Sequence, residues 1–121
     1  MNGAARTLLL GLLLPAAASA GTDGKRDGQG VPSLAGFEDA IHHWQGTHGT
    51  DYPRHAQTDV AAIADNILLY QRVDGGWKEN EDPTRVLDAE GRAAFAAESK
   101  KSGGSFDNRN IYTQLDYLAD A

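Results

Sequence analysis

Residues 60–77 read VAAIADNILLYQRVDGGW, and this stretch decides the fold class. Its apolar side chains recur at i, i+3, i+4, i+7 and i+8, a spacing that places them on one face of an α-helix. Asp74-Gly75-Gly76 follows, and we expect it to end the helix because glycine accepts left-handed backbone. Trp77 comes directly after the glycines, either as a core side chain or as an aromatic wall for a sugar. The apolar face consists of Val60, Ile63, Ala64, Ile67 and Leu68.

The segment before this stretch also has helical spacing. Ser33 is a suitable N-cap for a helix, and the following apolar residues fall on one face. The helix of the opening stretch is predicted to begin early, at Pro53, where the missing N–H costs nothing, and to run to about Arg72. The apolar face of the earlier helix consists of Phe37, Ala40, Ile41 and Trp44.

Two helices are predicted in the C-terminal part. Residues 89–100 are Ala-rich and weakly helical, with Gly91 inside them. Asp107 is a good N-cap for the last helix, whose apolar face holds Ile111, Leu115 and Leu118. Because no stretch alternates as a strand would, the sequence predicts an all-α fold.

The N-terminus has the composition of a secretory leader. Arg6 precedes an apolar run that is too short for a membrane span, and Ala18-Ser19-Ala20 is a small-residue cleavage signal. We therefore expect a secreted protein, extracellular or periplasmic. The predicted organisation is a signal peptide at 1–20, a flexible linker at 21–32, and one domain at 33–121.

Charge and cysteine content restrict the classes of protein. The formal net charge is −6, and the leader removes one basic residue, so the mature chain is still more acidic. Such a charge argues against a nucleic-acid or anionic-membrane partner. With no cysteine, no disulfide can staple the fold. Stability must come from a core of about a hundred residues, so we expect marginal folding.

Several polar residues are candidates for a site, each beside a structural alternative. Asp107 and Asn108 could bind Ca²⁺ through oxygen, or Asp107 could only cap its helix, which is the commoner role. Asn66, Tyr70 and Gln71 could share a helix face and contact a sugar, or hydrogen-bond neighbouring loops, which is the preferred interpretation.

The basic and imidazole groups favour structural roles. The four histidines match no helical ligand pair or zinc signature, so solvated or hydrogen-bonded roles are expected for His42, His43, His48 and His55. A basic patch around Lys100 could meet an acidic substrate, but cations at a helix end also suit the dipole. The other members of this patch are Lys101 and Arg92.

Two segments resemble the catalytic module of family 10 pectate lyases. The first is residues 64–72, ADNILLYQR, followed by Gly75-Gly76-Trp77 and Asn80; the family reads ADN(I/V)LLYQR and then GGWPKN. The second is residues 106–118, where FDN is followed by TQL and a further Leu; the family reads (I/F)DNGATTTQI and then Leu. Trp44 and residues 52–54 lie where the family's preceding segment would. The resemblance covers residues 34–121.

This resemblance implies a secreted enzyme that cleaves polygalacturonate by β-elimination, with Ca²⁺ assistance, on a partial (α/α) toroid of paired helices. Ca²⁺ neutralises the uronate carboxylate while a base takes the adjacent C5 proton. By resemblance, Asp107 and Asn108 would bind Ca²⁺ and substrate, and Trp77 and Asn80 would bind substrate.

The chain departs from the family pattern at three points. Lys78-Glu79 stands in place of Pro-Lys, and residues 109–112, RNIY, replace GATT. The family's catalytic arginine is expected further downstream, so we expect an inactive N-terminal piece of such a module. Two alternatives remain open: a non-catalytic secreted sugar-binding or interaction module, and a fragment of a triterpene-cyclase-like α-toroid, whose Gln…Gly-x-Trp repeat is similar to residues 71–77.

Overall fold

The structure, a computed structural model, describes residues 30–105 and 108–121. Within these ranges the regular structure is helical and no β-strand occurs, which confirms the all-α class. The expected leader and most of the expected linker lie outside the described residues. The elements are a 3-10 turn, Ala35–Phe37, and the helices α1, Glu38–His48; α2, Val60–Leu69; α3, Ala89–Ser99; and α4, Asn108–Asp120.

Helix α2 lies at the centre of the core. It contacts both α3 and α4, while the 3-10 turn contacts α1 and α4. Two ring pairs close the ends of the core: Phe37 meets Tyr117 edge-on at 5.9 Å, and Tyr70 meets Phe95 at 5.0 Å. The buried apolar side chains of the described residues are Phe37, Ile63, Ile67, Tyr70, Trp77, Phe95 and Tyr117.

The start of α2 differs from the prediction. The helix begins at Val60 rather than at Pro53. Residues 53–55 instead pair with a later loop: the N–H of Val86 donates to the carbonyl of Pro53, and that of His55 to the carbonyl of Thr84. Because backbone groups used in this pairing cannot serve a helix, the long-range contact displaces the helix start.

The end of α2 also differs, because the helix stops at Leu69 before it reaches the glycines. The following residues form a tight hairpin in which Gln71 pairs with Trp77 and the N–H of Arg72 donates to the carbonyl of Gly76. Gly75 takes a left-handed backbone, with φ of 86°, inside this hairpin rather than at the helix end. The glycines therefore turn a loop, and the prediction that they end the helix was wrong.

The buried face of α2 is shifted from the predicted one. Ile63 and Ile67 are fully buried, as expected, but Leu68 is 54% exposed. Asn66 is buried beside them because its side-chain amide donates to the carbonyls of Pro83 and Arg85 at 2.9 and 2.8 Å. A polar side chain can lie in a core when its hydrogen bonds are satisfied.

The remaining helices lie close to their predicted positions. The hydroxyl of Ser33 accepts the N–H of Ala35 at the entrance to the 3-10 turn that precedes α1. Asp88 caps α3 by accepting the N–H of Gly91 at 2.7 Å. The cap expected from Asp107 lies outside the described residues. No helix in the described ranges is long and apolar enough to cross a membrane.

Candidate functional site

The hairpin after α2 meets the segment that leads into α4. The carbonyl of Trp77 accepts the N–H of Ser105 at 2.9 Å and the side-chain amide of Asn110 at 2.7 Å. The backbones of Gly76 and Gly104 touch, since a Cβ on Gly76 would lie 3.0 Å from the Gly104 backbone. The structure thus joins the two segments that carry the family resemblance.

Asp74 fixes this junction by accepting backbone N–H groups from both sides. Its carboxylate accepts from Gly76 at 3.1 Å, from Gly103 at 2.7 Å and from Gly104 at 2.8 Å. The N–H groups of Gly104 and Gly76 lower the pKa of the Asp74 carboxyl, because they stabilise its charged form.

Trp77 lies in the core. Its side chain has no exposed surface, and its indole N–H donates to the carbonyl of Ile67 at 2.9 Å. A ring with both faces packed offers neither face to a sugar. Trp77 therefore has the core role, and the expectation that it forms a substrate-binding wall was wrong.

A small polar pocket opens where the two joined segments face the start of α1. We call it the amide pocket; it encloses about 110 Å³. Asn80 comes from the first segment and is exposed, with an unusual left-handed φ of 61° that Asn tolerates. The polar residues that line the amide pocket are Asp39, Glu79, Asn80, Asn110, Thr113 and Gln114.

The inner wall of the amide pocket carries one unsatisfied acceptor. Gln114 is 4% exposed, and its side-chain N–H donates to Asn110 Oδ1 at 2.9 Å. Its Oε1 accepts no hydrogen bond from the described residues. A buried carbonyl oxygen without a donor costs free energy.

The amide pocket is acidic. Two carboxylates, those of Asp39 and Glu79, line it, and among the described residues no lysine or arginine does. Lys78 is drawn away because its Nζ binds Glu81 Oε1 at 2.8 Å. The departure from the family pattern at residues 78–79 therefore places a carboxylate in this pocket, where an anionic ligand would meet like charge.

Oxygen ligands are those that Ca²⁺ prefers, and the polar side chains of the amide pocket carry carboxylate, hydroxyl and amide groups. The described residues contain no group of three or more His, Cys, Asp or Glu that could hold a metal alone. Asp107, expected to bind metal and substrate, lies outside the described residues, and so does the side chain of Asn108. The oxygen groups that line the amide pocket suit Ca²⁺ in type. Further ligands would have to come from Asp107, Asn108 or a substrate.

A second polar cluster, which the sequence did not reveal, surrounds the fully buried Asp82. Its carboxylate accepts from Tyr52 at 2.6 Å, from the N–H and hydroxyl of Thr84 at 2.8 and 2.6 Å, and lies 3.3 Å from Arg54 Nε. Burial, and next the bond to Asp82, raise the pKa of the Tyr52 hydroxyl. The pairing spans about thirty residues of chain, so no local pattern could predict it.

Three of the four histidines have polar protein neighbours. His43 and His55 lie 3.8 and 3.9 Å from Asp39 and Asp59, and His48 Nδ1 is 3.0 Å from the carbonyl of Trp44. His48 also stacks on Trp44, whose ring meets the guanidinium of Arg85 at 3.9 Å. Of these contacts, only that of His48 is within hydrogen-bond distance.

Three of the remaining candidates, Tyr70, Gln71 and Lys101, contact other groups of the protein. Gln71 donates to the carbonyl of Gly75 at 3.0 Å, and Tyr70 is buried. Burial raises the pKa of the Tyr70 hydroxyl strongly, while the nearby Gln114 amide lowers it less. In the basic patch, Lys101 pairs with Glu98 at 2.9 Å, and this carboxylate also binds Arg72 at 2.8 Å.

Comparison with known proteins leaves the family open. No protein-family model matches the chain, and neither the curated proteins nor the solved structures contain a match. Function must therefore be argued from the sequence motifs and the geometry of the amide pocket.

Proposed function

We propose that this chain is a pectate-lyase-like protein that binds polygalacturonate through Ca²⁺ at the amide pocket, on a partial (α/α) toroid of paired helices. One observation carries the proposal: Gly76 of the first motif segment touches the backbone of Gly104, just before the second segment, and the pocket opens at this junction. Asn80 and Gln114 match positions of the first and second motif, and Asn110 lies in the second segment where the chain departs from the family pattern.

The charge of the amide pocket argues for a bridging cation. A uronate would face the carboxylates of Asp39 and Glu79, and like charges repel. Ca²⁺ would remove this repulsion, with Asp39, Glu79, Asp107 and Asn108 as its protein ligands and uronate oxygens completing the set. Bound there, Ca²⁺ would also supply the Lewis acidity that β-elimination from a uronate requires.

We expect binding without turnover from this chain alone. β-Elimination needs a positioned base, and among the described residues no arginine, lysine or histidine lines the amide pocket. Polygalacturonate incubated with the protein and Ca²⁺ should yield no unsaturated product, followed by its ultraviolet absorbance. Clear turnover would overturn this part of the proposal.

Binding itself is tested by calorimetry with polygalacturonate, first with Ca²⁺ and then with a chelator. Saturable binding is expected with Ca²⁺, and the chelator should abolish most of it. Glu79→Gln should lower the affinity about tenfold, because a charged ligand of the cation becomes neutral. The matched control is Glu90→Gln, an exposed carboxylate on α3 away from the pocket, which should leave the affinity unchanged.

The non-catalytic sugar-binding alternative is favoured by the same acidic lining, because a neutral sugar needs no cation there. Fully methyl-esterified pectin separates the two functions. Chelator-resistant binding of the neutral polymer, equal in wild type and Glu79→Gln, would support the alternative and contradict the Ca²⁺ proposal.

A further inference from the structure

The amide pocket continues along α1 into a longer surface trough. A shallow depression shares Gly36 and Asp39 with the amide pocket, and shares Glu38 and His42 with an open pocket beyond it. We call this far pocket the Arg54 pocket, after the one arginine among its lining residues. From Asp39 to the far end is about six residues of helix, or ~9 Å at 1.5 Å per residue.

The guanidinium of Arg54 is anchored through its Nε atom only. Its Nε donates to Thr84 Oγ1 at 2.8 Å and lies 3.3 Å from the buried Asp82 Oδ2. Neither of its two Nη nitrogens makes a hydrogen bond to any described residue, and the side chain is 37% exposed. An arginine anchored through Nε presents its other N–H groups as a fixed fork.

We propose that Arg54 forms a second, metal-independent subsite that binds the carboxylate of a sugar acid at the far end of the trough. Fork-shaped N–H groups match the two oxygens of a carboxylate, and a preorganised fork loses little entropy on binding. The choice of a sugar acid as ligand rests on the proposed function. The trough would thus hold a uronate chain by a cation bridge at one end and by arginine at the other.

The neighbouring charges set the strength of this subsite. Asp82 already balances part of the Arg54 charge, and Glu38 lines the same pocket. Binding should therefore be weak for one uronate and stronger for an oligomer that also reaches the amide pocket, because the second contact becomes intramolecular. Removing the Glu38 charge should strengthen binding at Arg54.

The test uses the full chain, monomeric galacturonate and a chelator, so that no Ca²⁺ bridge contributes. NMR should show a saturable shift of the Arg54 Nε–H resonance, with no matching shift of the Asn80 side-chain amide. Acetate should produce a weaker shift at Arg54, and the methyl ester of galacturonate should produce none. An ester that binds as well as the acid, or acetate that binds as well as galacturonate, would overturn the sugar-acid subsite.

Two variants should act in opposite directions. Arg54→Lys keeps a cation beside Asp82 but loses the fork, and should weaken galacturonate binding about fivefold or more. Glu38→Gln, an exposed change, should strengthen it roughly two- to threefold, as expected for one charge removed several ångströms away. Arg92→Gln, an exposed control on α3, should have no effect.

A general loss of folding cannot strengthen binding, so Glu38→Gln keeps the proposal testable even if Arg54→Lys is unstable. An affinity that Glu38→Gln leaves unchanged or lowers would contradict the subsite. The outcome is independent of the amide pocket. If the polymer binds with Ca²⁺ but galacturonate does not shift the Arg54 resonance, only the Arg54 subsite is contradicted. If galacturonate shifts that resonance but the polymer does not bind with Ca²⁺, only the Ca²⁺ proposal is contradicted.

Discussion

The carboxylate of Glu98 lies between two cations. Arg72 Nη2 is 2.8 Å from Oε2 and Lys101 Nζ is 2.9 Å from Oε1. The bond from Arg72, and next that from Lys101, lower the pKa of Glu98 to about 2. Because this folded-state pKa is depressed, the pair stabilises the fold above the ordinary pKa of a glutamate and loses this contribution as the pH falls towards 2.

Glu98→Gln should therefore make the free energy of unfolding depend less on pH at acid pH. Solvent screens the pair, so we expect a loss of about 1 kcal/mol in the free energy of unfolding at pH 7, shrinking to near zero by about pH 2. Urea unfolding at several pH values measures it, with Glu90→Gln as the matched control. An equal loss at every pH would contradict the ion-pair account.

Single residues show where sequence reasoning succeeded and where it stopped. The alternatives for Trp77 could be stated from its position after two glycines, but only the packing against Ile67 chose between them. The anchoring of Arg54 could not be predicted locally, because its partners Asp82 and Thr84 lie about thirty residues away. Asn80, which the resemblance predicts to bind substrate, lines the amide pocket.

At the scale of elements, the amide pocket depends on the backbone contact between Gly76 and Gly104. Gly76→Ala would place a Cβ 3.0 Å from the Gly104 backbone, which cannot yield as a flexible side chain would. We expect a destabilisation of about 1–3 kcal/mol, as for other overpacked sites. Ca²⁺-dependent binding should weaken as well, because the two motif segments are pushed apart.

Gly46→Ala is the matched control for this substitution. Gly46 lies inside α1, and a Cβ there meets nothing within 4 Å. Alanine is the better helix former, so this change should stabilise the protein by about 0.5–1 kcal/mol. Denaturant midpoints of both variants measure the difference. A Gly76→Ala protein as stable as Gly46→Ala would contradict the close backbone contact.

Helical periodicity predicted which segments are helices better than it predicted where each helix begins and ends. The position of α1 followed from apolar spacing and a cap residue, and that of α3 from its alanine content, all of which are local properties. Both ends of α2 were misplaced, because residues 53–55 pair with the 84–86 loop and residues 71 and 72 pair with 77 and 76 in the hairpin around Gly75. Such pairings depend on tertiary contacts, which override the intrinsic preference of a segment.

The whole molecule combines a small core with apolar side chains at the surface. The described residues bury seven apolar side chains, and with no disulfide this core must supply the stability. Part of the apolar surface remains exposed to water, and this exposed part gives no hydrophobic stabilisation of the fold. Among residues 30–105 and 108–121, the large apolar side chains that stay exposed are Leu68, Val73, Val86, Tyr112 and Leu115.

We therefore expect low stability of the free protein and a large response to ligand. Its thermal transition should be broad and poorly cooperative, and Ca²⁺ with polygalacturonate should raise the midpoint. A ligand at about a hundred times its dissociation constant adds ~2.7 kcal/mol, which corresponds to roughly 10–20 °C for a domain of this size. Calorimetric scans with Ca²⁺ alone, polymer alone and both together measure this shift. A sharp transition in the free protein would contradict the marginal core, and a midpoint unmoved by the combination would contradict binding at the amide pocket.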